Sequence, residues 1–118
     1  MNSQREPEAF LPLPNLPFHI LLALAGEDTA HGWAIIKRIG QITEGRTAPS
    51  SGSLYLAMGR LQERGLLDQV EAPESDRDQR RRYYRLTQLG RRVLEAESRR
   101  LAGLVDIARE HRVLGGGQ

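Results

Sequence analysis

The most concentrated chemistry in the chain lies between residues 77 and 85. Five of these nine residues are arginine (Arg77, Arg80, Arg81, Arg82 and Arg85), offset within the stretch by Asp78. Guanidinium forks match phosphate geometry, and arginine also enters narrow minor grooves of duplex DNA. A solvated hairpin is the plain alternative, because 16 of the 17 basic residues are Arg and only Lys37 is Lys. A second group lies upstream: Ser50, Ser51, Gly52, Ser53, Tyr55 and Arg60. Ser50 or Ser51 suits a helix N-cap, and the N–H groups and hydroxyls of such a helix start can reach phosphate oxygens. Tyr55 can reach a phosphate or a thymine methyl, and Arg60 a base edge or a phosphate.

Other chemistries lack their residues. With no cysteine there is no disulfide framework, thiolate metal site or Cys nucleophile. His19, His31 and His111 fall on three separate predicted elements without ligand spacing, so no metal site is expected. Neither a Gly-x-Ser-x-Gly elbow nor a phosphate loop occurs, and the carboxylates form no pair. The expectation is a non-enzyme without a cofactor. No apolar run reaches the ~18 residues of a membrane span. No basic segment precedes an uninterrupted apolar run at the start, so a secretory signal is not expected and the chain reads as cytoplasmic.

The elements that must position these groups follow from periodicity and punctuation. Pro7, Pro12, Pro14 and Pro17 mark residues 1–14 as an extended or disordered arm. Residues 16–25 are apolar on nearly every side, which predicts a helix buried on more than one side, with a second copy of the chain covering part of it. Thr29 is the expected cap of a second helix with Trp33, Ile36 and Ile39 as its core stripe. A second role for Trp33 is stacking against a small aromatic effector. A short extended stretch is expected at Arg46–Ala48, before Pro49. The third helix runs to about Arg64 with Gly65 after it, and buries Leu54, Ala57, Met58 and Leu61. Leu66–Ala72 and Arg81–Leu86 read as the strands of a hairpin with a long tip. Strand alternation then sets one group of arginines over the core.

Thr87 caps a last helix reaching about Leu114, roughly 42 Å long at 1.5 Å per residue. A compact chain of this size has a diameter of roughly 35 Å, so the helix should project and be covered by a second copy. Phe18, Leu21, Leu22, Leu94, Leu101, Leu104, Val105 and Ala108 are the expected dimer contacts. Residues 115–118 read as a flexible tail.

Four stretches in this order and spacing resemble the PadR-like transcriptional regulators, over about residues 18–112. His31-Gly32-Trp33-Ala34-Ile35-Ile36 resembles the family's second-helix opening. Ser50-Ser51-Gly52-Ser53-Leu54-Tyr55 resembles its recognition-helix start. Arg60-Leu61-Gln62-Glu63-Arg64-Gly65-Leu66 resembles the exit from that helix, and Arg82-Tyr83-Tyr84-Arg85-Leu86-Thr87-Gln88-Leu89-Gly90 the return strand entering the last helix. Trp33 stands where the family usually has Tyr, Leu56 where Pro is frequent, and Gly59 where His is frequent.

The resemblance implies a mainly α fold with a small β-hairpin wing: a winged helix-turn-helix domain over 15–86 and one long C-terminal dimerisation helix over 87–114. It implies a homodimeric repressor that binds a pseudo-palindromic double-stranded DNA operator, with a small aromatic effector releasing the DNA in some relatives. The expected DNA contacts are Ser51, Gly52, Ser53, Tyr55, Arg60, Arg77, Arg80, Arg81 and Arg82. A winged-helix module that binds protein and not DNA is the second function class; exposed Leu56 and Gly59 and the acidic Glu74, Asp76 and Asp78 would serve it.

Length and charge agree with one domain in a larger particle. The chain has 118 residues and a formal net charge of +2, which suits one domain. Residues 46–86 hold 8 basic and 6 acidic side chains, whereas residues 1–45 hold 3 and 5. The positive balance therefore falls on the third helix, the hairpin and the last helix.

Overall fold

The computed structural model describes residues 6–115. Helix α1 spans Asn15–Ala25. Pro17 sits in its first turn, where a missing N–H removes no helical hydrogen bond. Its all-round apolar surface has a simpler cause than a second copy, because α2, α3, α4 and β3 of the same chain pack around it (ranges below). Leu21 is 0% exposed and Leu94 is also buried, so both belong to the chain's own core and neither is available as a dimer contact. Phe18 and Leu22 are half-buried against that core.

Strand β1 is only Ala30–His31, followed directly by α2, Gly32–Ile42. The cap of α2 is His31 rather than Thr29: its Nδ1 accepts from the Ala34 N–H at 3.2 Å. Ile35 and Ile39 form the buried stripe of α2, while Trp33 is 71% exposed, so the expected core role of Trp33 does not hold. Ile35 and Ile39, four residues apart, share one helix side, and that side packs inward where α1 and α3 meet α2. The short strand also lies elsewhere than expected. Ala30–His31 fills the open edge of the hairpin, and Arg46–Ala48 forms no strand.

Helix α3 spans Ser51–Glu63 and is capped by Ser50, whose Oγ accepts from the Ser53 N–H at 3.1 Å. Leu54, Met58 and Leu61 are buried along one side. Its exit requires glycine: Gly65 has φ +81°. The Leu66 N–H reaches the Leu61 carbonyl at 2.9 Å and the Gly65 N–H reaches Gln62 at 3.0 Å, which closes the helix in a Schellman motif.

Strands β2 (Leu67–Val70) and β3 (Tyr83–Leu86) pair antiparallel, with Leu67 opposite Leu86 and Val70 opposite Tyr83. The sheet order is β1-β3-β2. Both strands are shorter than expected, so Arg81 and Arg82 precede β3 and are exposed. Neither arginine group leans over the core; Tyr84 takes the inward position.

Helix α4 spans Gln88–Glu110, 23 residues, or about 35 Å, rather than the longer helix expected. Thr87 caps it, accepting from the Gly90 N–H at 2.9 Å and donating to the Gly65 carbonyl at 2.6 Å. The first turn of α4 therefore sits directly on the α3–β2 turn. A Cβ at Gly90 would collide with the Leu66 carbonyl. The first half of α4 is in the core through Val93, Leu94 and Glu97; beyond it Leu104, Val105 and Ile107 are exposed. No helix among the described residues is long and apolar enough to cross a membrane.

Residues 7–13 are not an extended arm. Pro7–Phe10 form a 3₁₀ turn, and Phe10 and Leu13 are buried. The Arg64 guanidinium lies 4.5 Å from the centre of the Phe10 ring. Glu97, 1% exposed, accepts from the Leu13 N–H at 3.0 Å and from Arg100 through two bonds of 2.6 and 2.9 Å. Proline spacing suggested an arm, but the apolar side chains between the prolines and a carboxylate 84 residues away tie it down. The first five residues of that expected arm, and residues 116–118 of the expected tail, lie outside the described residues.

Candidate nucleic-acid interface

The buried side of α3 leaves an outward face of Ser51, Gly52, Ser53, Tyr55, Leu56, Gly59 and Arg60, all exposed. Its composition follows from the helical period: Leu54, Met58 and Leu61 take the inner positions, and small or polar residues take the outer ones. Ser50 is the capping residue, and its Oγ also donates to the Ser53 hydroxyl at 3.0 Å. Leu56 is 59% exposed in the middle of this face. Ser53, Leu56 and Arg60 line a groove of about 460 Å³ whose opposite wall is Leu13, Pro14, Leu16 and Pro17.

The loop between β2 and β3 carries the arginines, and its own acids give it shape. The Asp76 carboxylate accepts from the Tyr83 hydroxyl at 2.6 Å and from the Asp78 N–H at 2.9 Å. Arg81 approaches the same carboxylate at 3.8 Å. The Tyr83 hydroxyl, the Asp78 N–H and, more weakly, Arg81 hold the Asp76 carboxyl below the usual aspartate range, and Asp76 in turn pushes the Tyr83 phenol up. Asp78 accepts from the Arg80 N–H at 3.0 Å and meets its guanidinium at 3.4 Å; these contacts lower its pKa. The Gln79 side chain donates to the Pro73 and Asp76 carbonyls at 2.9 and 2.6 Å. Asp76 and Asp78 thus order the loop from within.

The tertiary fold joins the two groups on one side of the molecule. His31, Gly32, Trp33, Tyr55, Arg80, Arg81 and Arg82 line an open cleft of about 350 Å³. Gly32 makes this possible, because any Cβ there would occupy the place of the Tyr55 hydroxyl. The His31 ring meets Tyr83 edge-on at 5.3 Å, which links the start of α2 to the hairpin. Burial pushes the Tyr84 phenol up, and Arg82 beside it opposes that shift.

Of the residues expected to contact DNA, Tyr55, Arg80, Arg81 and Arg82 meet in this cleft. Ser53 and Arg60 border the groove on the other side of α3. Arg77 is exposed and lines neither. Trp33 belongs to the cleft although sequence reasoning placed it in the core. The competing Ile35/Ile39 spacing was the signal that could have freed it.

The chemistry available is phosphate recognition by guanidinium and hydroxyl groups beside a helix face with little bulk. The profile of the transcriptional regulator PadR-like family matches residues 21–96, which includes the whole of this surface. Among solved structures, a PadR family transcription regulator from hypervirulent Clostridium difficile is 23% identical, with a TM-score of 0.69 over 83% of this chain and 98% of that one. A transcriptional regulator from Clostridium thermocellum is 23% identical, with a TM-score of 0.66 over 80% and 87%. The PcaV transcriptional regulator from Streptomyces coelicolor, in complex with its natural ligand, is 27% identical, with a TM-score of 0.67 over 82% of this chain and 61% of that one. A comparison with curated protein sequences gives no match. With the family profile spanning more than half the chain and the winged-helix architecture matching, this chain belongs to the PadR-like family of transcriptional regulators.

Proposed function

We propose that the protein is a homodimeric, sequence-specific DNA-binding repressor. One observation carries this reading: Tyr55, exposed on α3, shares one cleft with Arg80, Arg81 and Arg82 of the β2–β3 loop. Helix α3 enters the major groove, where Tyr55 in its first half and Arg60 in its last turn meet base edges and phosphates. Arg80, Arg81 and Arg82 neutralise the flanking backbone or enter its minor groove. The exposed Leu104, Val105 and Ile107 of α4, with half-buried Leu101 and Ala108 beside them, form the face that a second copy covers. Two-fold symmetry then sets two α3 helices over half-sites about 10 bp apart.

A footprint on the DNA upstream of the protein's own gene tests this reading. Protection of a pseudo-palindrome supports it. A protein-binding module is favoured instead if a dimeric sample retards no DNA, and exposed Leu56 is the observation on its side. The acids Asp76 and Asp78, expected to help such a partner, are engaged within the loop.

A further inference from the structure

Trp33 is the sole tryptophan of the chain and the second residue of α2. At 71% exposure its indole is largely bare, which is unusual for a side chain with so much apolar surface. The core does not need it, because Ile35 and Ile39 already fill the inner side of α2. Its cleft is shared with Tyr55 of α3 and with Arg80, Arg81 and Arg82 of the β2–β3 loop. No residue of α4 lines that cleft, so the exposed Leu104, Val105 and Ile107 form no part of it.

We infer that Trp33 is a DNA-backbone contact residue: the phosphate that Tyr55 and the loop arginines attract sits against Trp33, with the indole over the adjoining deoxyribose. This rests on the DNA-binding reading above and adds a contact residue to it. The chemistry of each wall fits one occupant. Arg82, together with Arg80 and Arg81 that also touch Asp78 and Asp76, and the Tyr55 hydroxyl supply charge and donors for a phosphate. The indole has one N–H donor and no acceptor, so it complements an anion oxygen and no donor. Its flat apolar face matches the carbon surface of a sugar, which the charged walls cannot cover. The cleft is open to solvent, so a DNA backbone can reach all of its walls.

A single tryptophan makes the contact directly readable. A labelled duplex from the DNA upstream of the protein's own gene is titrated with the full-length protein. Label anisotropy reports complex formation, and indole emission with acrylamide quenching reports Trp33. The expected result is a rise in anisotropy together with shielding of Trp33 from acrylamide. Trp33→Ala should raise Kd about tenfold, the scale of one stacked or charge-assisted contact. Trp33→Phe should fall between the two. Because the indole carries no charge, Trp33→Ala should leave the slope of log Kd against log salt unchanged. Far-UV circular dichroism of Trp33→Ala should match the wild type, since the side chain is outside the core.

Rising anisotropy with Trp33 still fully quenchable, or wild-type affinity in Trp33→Ala, overturns this inference and leaves DNA binding standing. No anisotropy change at low salt overturns both. Shielding of Trp33 by sodium benzoate and not by the duplex would make the cleft a small-anion site and also overturn it.

Discussion

The Glu97 carboxylate, buried in the middle of α4, accepts a hydrogen bond from the backbone N–H of Leu13 at 3.0 Å. The same carboxylate is clamped by Arg100. A charge at this position is tolerable because both carboxylate oxygens accept hydrogen bonds, from the Leu13 N–H and from Arg100, and the arrangement ties the N-terminal segment to the last helix. Phe10 extends the connection to α3 through the Arg64 guanidinium above its ring. The segment is therefore a strap between the helix proposed to read DNA and the helix proposed to dimerise.

Glu97→Ala should destabilise the fold by about 2 kcal/mol, because the Leu13 N–H is left buried without a partner. Thermal melting checks this, and amide exchange should rise first in residues 7–13. The pH dependence has a definite sign. Arg100, then the Leu13 N–H, hold the Glu97 pKa below its ordinary 4.5 against the opposing effect of burial. A depressed folded-state pKa stabilises fully above the unfolded value and is lost as pH falls through the folded one. The stability gap between wild type and Glu97→Gln should accordingly be constant near neutrality and close only below pH 4.5.

Gly90→Ala should be far more damaging than its size suggests. The new methyl group would meet the Leu66 carbonyl, which is backbone and cannot swing aside as a side chain could. The expected loss is about 3 kcal/mol, visible as a large drop in Tm. Gly103→Ala, with open space around it, should instead stabilise α4 by up to about 1 kcal/mol.

Arg80→Ala with Arg82→Ala should weaken DNA binding across all sequences. The slope of log K against log salt should fall by roughly 0.9 for each phosphate contact removed. Arg60→Ala and Tyr55→Phe should also change which sequences are preferred, as base contacts do. Anisotropy titrations at several salt concentrations, with matched and scrambled duplexes, separate the two classes.

Leu104→Asp with Val105→Asp should give a folded monomer. Both side chains are exposed on α4, so the change leaves the chain's own core intact. Burying two carboxylates in an apolar interface would oppose association strongly. Sedimentation should show the wild type at twice the variant's mass. A wild type that sediments as a folded monomer would contradict the proposed dimer.

Local rules carried much of this fold. Ser50, Thr87 and Gly65 announced helix ends through capping chemistry that acts within a few residues, and the inner stripe of α3 was plain from its period. The arginine cluster and the serine-led start of α3 were legible for the same reason, since residue type and spacing define them. What the chain could not reveal locally depended on competition between distant partners. On α2 the Trp33/Ile36/Ile39 and Ile35/Ile39 spacings share one residue, and the packing of α1 and α3 against the helix decided that Ile35 and Ile39 go in and Trp33 stays out. The all-apolar α1 could have been covered by a second copy or by its own chain; the packing of four elements around it decided for the latter. Residues 7–13 carried no helical period, and their order comes from burial of Phe10 and Leu13 and from Glu97, 84 positions beyond Leu13. The cleft itself needed Gly32 beneath Tyr55 and a loop held by Asp76, contacts between segments that sequence proximity does not relate.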